Sequence, residues 1–298
     1  MTPALFEQRC QALTGRLQTL PDKPQETVAT TLKVLWLLAA GQALSTEAAN
    51  DIGELPTLDA QAERRLDALI EKRLSGVPLS HLSERQRFMG LEMLSGPQAL
   101  IPRRETELLG YAATELLRAS LATNSNPLVI DVCTGSGNLA LALAASAPQA
   151  QVHASDLSPE AVELARRNAH HLGLGDRVHW RVGDLLEPFD QAPFHQQVDL
   201  LVCNPPYISS QRVETMPVEI SGFEPRLAFD GGALGVRIVQ RLMQEAPRYL
   251  RKGGWLAFEV GAGQGPSVVK RLQRHPGYSH HRCLTDEHGE IRSILATT

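Results

Sequence analysis

The sequence predicts an α/β protein in which a mainly parallel sheet carries helices on both faces. A small helical domain comes first and is joined to the sheet by a β-hairpin. Three observations carry this reading. From about residue 127 onward, short apolar runs alternate with helix-length stretches, the order that builds parallel strand–helix–strand units. Several of those runs end in an acid, an amide or a glycine turn, which puts polar groups at the carboxyl ends of strands, where open α/β sheets bind ligands. Before residue 80 the apolar spacing is helical instead.

Residues 1–80 read as three or four helices punctuated by Pro21, Pro24 and Pro56, since proline interrupts helices. Residues 30–44 are apolar enough to be a helix buried on most sides. Further on, Leu58, Leu66, Leu69, Ile70 and Leu74 fall at helical spacing, with Glu63, Arg64, Arg65, Glu71, Lys72 and Arg73 mostly on the other face. Residues 87–101 change character, and short apolar stretches around Gly90 and Gly96-Pro97 predict the hairpin. The expected organisation is a helical substrate-recognition domain over 1–80, a hairpin linker over 81–105 and a catalytic domain over 106–298.

In that last part, Leu128-Val129-Ile130-Asp131-Val132 predicts a strand, followed by a glycine turn and a helix over 139–147. Residues 152–156 form the next strand. Ser158-Pro159-Glu160 then supplies a cap, a first-turn proline and a first-turn acid for a helix reaching His171. Strands are expected at 179–183, 198–203 and 254–260, with a helix over 236–250 before the last of these. Two final strands are expected at 278–284 and 290–295.

With 298 residues, 43% of them hydrophobic, the chain can bury a large core. A net charge of −4 and a pI near 6.2 give no global pull toward nucleic acid. Cys10, Cys133, Cys203 and Cys283 are scattered without a CxxC pair, which argues against zinc or a disulfide framework and fits a reducing cytoplasmic setting. No secretory signal opens the sequence, and the longest apolar run, 34–40, falls far short of the roughly 20 residues a membrane span needs.

The first predicted strand runs into Asp131-Val132-Cys133-Thr134-Gly135-Ser136-Gly137-Asn138. Gly135 and Gly137 let the backbone turn sharply and approach a ligand just where a helix begins. Asp156 ends the second strand, placed for the two hydroxyls of a ribose, and Asp184 follows the third, within reach of an adenine edge. A nicotinamide cofactor and S-adenosylmethionine both suit such acids. The fourth strand separates them. It ends in Asn204-Pro205-Pro206-Tyr207: two prolines that stop the strand and fix the carbonyls, an amide that donates and accepts, and a flat ring. That set suits gripping a planar group bearing an NH2, with its nitrogen aimed at an electrophile.

These motifs, with Arg73-Leu74-Ser75-Gly76-Val77-Pro78-Leu79, Ile101-Pro102-Arg103-Arg104-Glu105-Thr106-Glu107 and Phe223-Glu224-Pro225-Arg226-Leu227-Ala228-Phe229-Asp230-Gly231-Gly232, resemble the HemK/PrmC-type protein-(glutamine-N5) methyltransferases. That family modifies the glutamine of the Gly-Gly-Gln motif in peptide chain release factors. The likeness spans nearly the whole chain. Amino methyltransferases of DNA and RNA share the 204–207 string alone, and its combination with the 101–107 and 223–232 motifs is much more specific. The resemblance implies a Rossmann-like methyltransferase sheet and S-adenosyl-L-methionine as cofactor, held by Asp131, Cys133, Thr134, Gly135, Ser136, Gly137, Asp156, Asp184, Leu185 and Asn204. It implies that Asn204, Pro205, Pro206 and Tyr207 hold the glutamine. A release factor is the expected partner of a monomeric cytoplasmic enzyme, without metal, membrane or direct nucleic-acid contact. Three positions depart from the release-factor pattern. Cys133 replaces a common glycine and looks more like the branch modifying a large-subunit ribosomal protein, Leu185 replaces a frequent tryptophan, and Arg104 replaces the usual proline.

In the implied mechanism, the Asn204 side-chain oxygen and the Pro205 carbonyl each accept one N–H of the glutamine amide, and Tyr207 packs on its plane. No strong base is needed before transfer. His170-His171 and His280-His281 are adjacent pairs, which cannot share one metal from a regular element, and read as surface residues. Cys203 reads as a core residue. Arg103, Arg104 and Glu105 fit a structural ion pair or a wall of the active site equally well. The competing functions are a nucleic-acid amino methyltransferase, a nicotinamide oxidoreductase and a nucleoside-binding module without catalysis.

Overall fold

The computed structural model describes residues 2–20 and 22–298, so the break expected at Pro21 lies outside the described residues. The helical region consists of α1 (Thr2–Leu13), α2 (Val28–Ala39), α3 (Thr46–Asn50), α4 (Ala60–Leu74) and α5 (Leu79–Ser83). Side-chain caps set three of the starts, and for α3 the Ser45 hydroxyl accepts from the Ala48 amide. The Thr27 hydroxyl accepts from the Thr30 amide, and the Asp59 carboxylate accepts from the Ala62 amide at 2.7 Å; such a cap contributes about 1 kcal/mol. The helix expected over 30–44 stops at Ala39 because Gly41 turns left-handed (φ +88°) and the amides of Gly41 and Gln42 fold back onto Leu38 and Leu37. Leu32, Leu35, Trp36 and Leu37 of α2 pack with Leu66, Ile70 and Leu79 in a core of their own.

The hairpin is shorter and earlier than the expected 87–101. It pairs β1 (Arg85–Phe88) with β2 (Leu91–Leu94), and residues 95–103 lie outside any strand. Met89 and Gly90 both take positive φ, the two-residue turn whose twist suits a tight hairpin, so Gly90 and not Gly96 makes the corner. A helix that the sequence reading did not include, α6 (Glu107–Ser120), follows a 3-10 turn at Arg104–Thr106. Its Gly110 admits the Met89 sulfur, which a Cβ would meet at 2.3 Å.

The rest of the chain forms β3 (Leu128–Val132), α7 (Asn138–Ser146), β4 (Gln151–Asp156), α8 (Pro159–His171), β5 (Val178–Val182), β6 (Val198–Cys203), α9 (Ser210–Val213), α10 (Val218–Ser221), α11 (Arg237–Glu245), β7 (Leu250–Glu259), α12 (Gly265–Leu272), β8 (His280–Thr285) and β9 (Ile291–Thr297). The helix expected over 236–250 ends at Glu245. Pro247 sits in the 3-10 turn that follows, and β7 then begins at Leu250, four residues before the expected 254. The helix α12 is a further addition to the sequence reading.

Seven strands form one sheet in the order β5-β4-β3-β6-β7-β9-β8, parallel except for β9, which runs against both neighbours. Successive residues of β3 face opposite sides. Val129 joins Leu109, Leu117 and Leu141 on the side of α6 and α7, whereas Ile130 and Val132 join Val239, Leu242 and Val268 on the side of α11 and α12. Strand order reverses between β3 and β6, and Val132 lies level with Ser155 and Cys203. Their carboxyl ends therefore open onto one crevice, the switch point at which such sheets bind ligands. Among the described residues no helix is long and apolar enough to cross a membrane.

Candidate functional site

After β3 the chain makes three left-handed steps in five residues, at Cys133 (φ +57°), Gly135 (+54°) and Gly137 (+84°). The glycines adopt this freely, while Cys133 carries a strain of about 1–2 kcal/mol. Asp131, without solvent exposure, holds the loop from behind: its Oδ2 accepts from the Thr134 hydroxyl (2.5 Å) and the Ala140 amide (3.1 Å). Its Oδ1 has no hydrogen-bond partner, and burial pushes its pKa up to about 7. From the next strand, Asp156 accepts the Gly135 amide on Oδ2 (2.8 Å) and the Ser158 amide on Oδ1 (2.9 Å). Burial raises its pKa too, against the pull of those two amides. A carboxylate has about four acceptor positions, so hydroxyl groups of a ligand can still bind Asp156.

The loop opens onto a cavity of about 340 Å³ whose walls include Cys133, Thr134, Gly135, Ser136, Asp156, Asp184, Leu185 and Asn204. Two of the expected cofactor residues stand behind this wall and not on it. Asp131 is one. The other is Gly137, which opens α7 so close to Trp180 that a Cβ would meet the ring at 2.8 Å. Asp184 lies at the rim, ion-paired with Arg241 at 2.8 Å, and Leu185 is buried with φ +48°.

A second cavity, about 400 Å³, lies on the other side of Asn204 and is walled by Pro205, Tyr207, Glu105, Gln264 and Arg292, among others. The two cavities share Leu100, Arg103, Asn204 and Ala228. Pro206 faces the first, and Pro205 and Tyr207 face the second. Asn204 donates through Nδ2 to the Thr106 hydroxyl at 3.0 Å, which leaves Oδ1 uncommitted. No donor among the described residues reaches the Pro205 carbonyl. The Tyr207 phenol donates to Glu259 Oε1 at 2.8 Å, with Glu105 Oε1 at 3.3 Å. Burial, then the Glu259 carboxylate, pushes the phenol's pKa up. Gln264 clamps the same segment by donating to the Tyr207 carbonyl at 2.8 Å.

Arg103 fits both roles the sequence allowed. It is ion-paired with Glu224 (2.6 Å) and Asp22 (3.3 Å), and it lines both cavities. Glu105 pairs with Arg292 at 2.8 Å and lines the second cavity, while Arg104 is exposed and lines neither. Below them, Lys23, Glu26 and Arg73 of the helical region form a buried network with Glu219: Lys23–Glu219 2.7 Å, Arg73–Glu219 2.8 Å and Arg73–Glu26 3.2 Å. Cys203 is fully buried in the sheet core, and His170 and His171 are exposed. Sequence reasoning gave no role to Thr106, Glu259 or Gln264. A signal existed for Glu259, an acid ending the apolar run Trp255-Leu256-Ala257-Phe258.

The Methyltransferase small domain family profile matches residues 111–220. Among solved structures, the human methyltransferase 10 domain containing protein superposes with a TM-score of 0.50 at 16% identity, covering 70% of this chain and 88% of its own. The hMettl16 catalytic domain gives 0.54 at 17% identity, covering 83% and 85%. At these identities the likeness is one of fold. Closer in sequence is the release factor glutamine methyltransferase of Geobacter sulfurreducens, 37% identical over 82% of this chain and 81% of its own. That of Moorella thermoacetica is 40% identical over 76% of this chain and 77% of its own. With relatives this similar over most of both chains, the protein belongs to the release factor glutamine methyltransferase family.

Proposed function

We propose that the protein transfers a methyl group from S-adenosyl-L-methionine to the side-chain amide nitrogen of a glutamine in a peptide chain release factor. The observation that carries this reading is the meeting of two cavities at Asn204, one bounded by a glycine loop and a ribose-suited acid, the other by the proline turn and Tyr207. The first has the size and polarity for a nucleoside-bearing ligand. Gly135 leaves room for close approach, with nothing nearer than 3.9 Å to a would-be Cβ. Asp156 would take the ribose hydroxyls, with Leu185 and Asp184 near the base and 133–136 cradling the remainder. The bound cofactor supplies a methyl group on a positively charged sulfur, an electrophile that needs no further activation.

The chain's own task is orientation. An amide nitrogen is a weak nucleophile because its lone pair is delocalised into the carbonyl. Asn204 Oδ1 and the Pro205 carbonyl, both uncommitted, can each accept one amide N–H, and the Tyr207 ring can limit rotation of the amide plane. Fixing both hydrogens turns the remaining face of the nitrogen toward the first cavity. Well-oriented reactants recover on the order of 7–11 kcal/mol of barrier. The new C–N bond forms as the C–S bond breaks, and the nitrogen, now acidic, loses its proton to water. One feature of the second cavity supports a protein loop as acceptor: the helical region contributes Asp22 to its wall.

A decisive experiment incubates the purified protein, S-adenosyl-L-methionine and intact release factor, and maps the gain of one methyl by mass spectrometry. Methylation is expected on the glutamine, with much less on a short Gly-Gly-Gln peptide and none after glutamine is changed to glutamate. Asn204→Ala should lower turnover by at least ~100-fold, the scale for a group acting in the transition state, with less change in cofactor affinity. A release factor left unmodified beside a methylated large-subunit ribosomal protein would assign the acceptor that Cys133 suggests instead.

A further inference from the structure

Asn204 has a symmetry problem. Its carboxamide can present either an oxygen or an NH2 to the second cavity, and only the oxygen can accept from an incoming amide. The hydrogen bond from Asn204 Nδ2 to Thr106 Oγ1 does not fix the choice by itself. A hydroxyl can donate as well as accept, so the flipped amide would find a partner too. What breaks the tie must lie beyond Thr106. The carboxylate of Glu259 is there. It is fully buried, at the end of β7, with the Thr106 hydroxyl beside it. Its Oε1 takes the Tyr207 phenol, and its Oε2 is buried without a hydrogen-bond partner, open to the Thr106 hydroxyl beside it.

We infer that Glu259 and Thr106 are positioning residues that set the polarity of the Asn204 amide for the acceptor. This deepens the proposed function and rests on it. An ionised Glu259 can only accept, so it claims the Thr106 proton. Thr106 must then accept from Asn204 Nδ2, and Asn204 Oδ1 is left facing the acceptor. A protonated Glu259 can donate to Thr106, which frees the Thr106 proton for Asn204 Oδ1. The amide then turns over and offers N–H groups to a substrate that also brings N–H groups. One proton on a residue that touches neither substrate thus reverses a chain of three hydrogen bonds.

The groups facing Glu259 set where this happens. Burial raises its pKa first and Glu105 of the 3-10 turn adds to it, while Thr106, Tyr207 and Arg292 of β9 oppose the rise. The outcome is a pKa of about 7. Because the ionised form is the competent one, turnover is complete above that pH and is lost as the pH falls through it.

The test measures kcat, and KM for the release factor, between pH 5.5 and 8.5 with saturating cofactor, so that titration of Asp131 behind the cofactor loop does not enter. Thr106→Val keeps the shape and removes the hydroxyl. It is expected to lower kcat roughly 10- to 100-fold with little change in KM, the scale of losing orientation, and to flatten the acid limb. Thr106→Ser should restore both. Glu259→Gln cannot ionise, and with its oxygen taken by the Tyr207 phenol its NH2 faces Thr106 as a donor, so it should mimic the protonated acid: a low kcat at every pH, without an acid limb. Circular dichroism melts identify any variant that fails to fold, and the serine and glutamine variants then decide alone. A wild-type rate without methyl transfer would defeat the proposed function. An active wild type overturns the positioning role if Thr106→Val turns over normally or if Glu259→Gln matches the wild-type kcat at pH 8.5.

Discussion

Asp156 combines two jobs that are usually separate. Its oxygens hold the Gly135 and Ser158 amides, so it shapes the glycine loop and the start of α8 as well as facing the cavity. Asp156→Ala should weaken binding of S-adenosylhomocysteine by roughly 1.5–3 kcal/mol, the scale of hydrogen bonds to a charged group, measured by calorimetry. NADH binding more tightly than S-adenosylhomocysteine to the wild type would reject the cofactor assignment. Asp156 and Asn204 could be read from sequence because a polar residue ending an apolar strand has few other uses. Thr106 could not. It meets Asn204 across 98 residues, and Glu259 meets Tyr207 across 52. Such contacts arise from strand order, which no local pattern records. Asp131 shows the converse, since a place at the same strand end put it behind the cavity wall, where burial serves the loop.

At the scale of elements, the segment 231–235 is packed directly on the proline turn. A Cβ on Gly231 would lie 2.6 Å from the Pro206 carbonyl, and one on Gly235, where φ is +68°, would lie 2.2 Å from the Tyr207 carbonyl. Gly235→Ala must therefore push this segment off the turn. A stability loss of roughly 1–3 kcal/mol is expected from the backbone strain, read as a lower melting temperature, together with slower methyl transfer at saturating substrate. The strands were legible because their apolar runs are compact and end in turn residues. The helices α6 and α12 were not. Glycine at position 110 and the Gly265-Pro266 start blur their periodicity, and packing on the sheet stabilises both.

For the molecule as a whole, the helical region and the sheet are joined by charge as much as by the hairpin. Arg73 and Lys23 neutralise Glu26 and Glu219 where all four are nearly sealed from water. Glu219 and Glu224 lie on the segment leading to the wall shared by both cavities. Removing one partner of such a cluster leaves a carboxylate buried without its cation, at a cost of about 3–5 kcal/mol. Arg73→Met should show this as a lower denaturant midpoint, and KM for the release factor should rise as the segment loosens. A midpoint equal to wild type would mean that the network contributes nothing. The change from helical to strand spacing soon after residue 80 was legible in the sequence. The ion cluster was not, because Lys23 and Glu219 are 196 residues apart.

The shared wall at Asn204 also imposes no order of arrival on the proposed catalytic cycle. Each ligand of the proposed reaction has its own chamber, and the chambers adjoin only at Leu100, Arg103, Asn204 and Ala228. Neither ligand needs to vacate its place for the other. In the proposed reaction the methyl would therefore pass directly from one ligand to the other within a ternary complex, never parked on the enzyme.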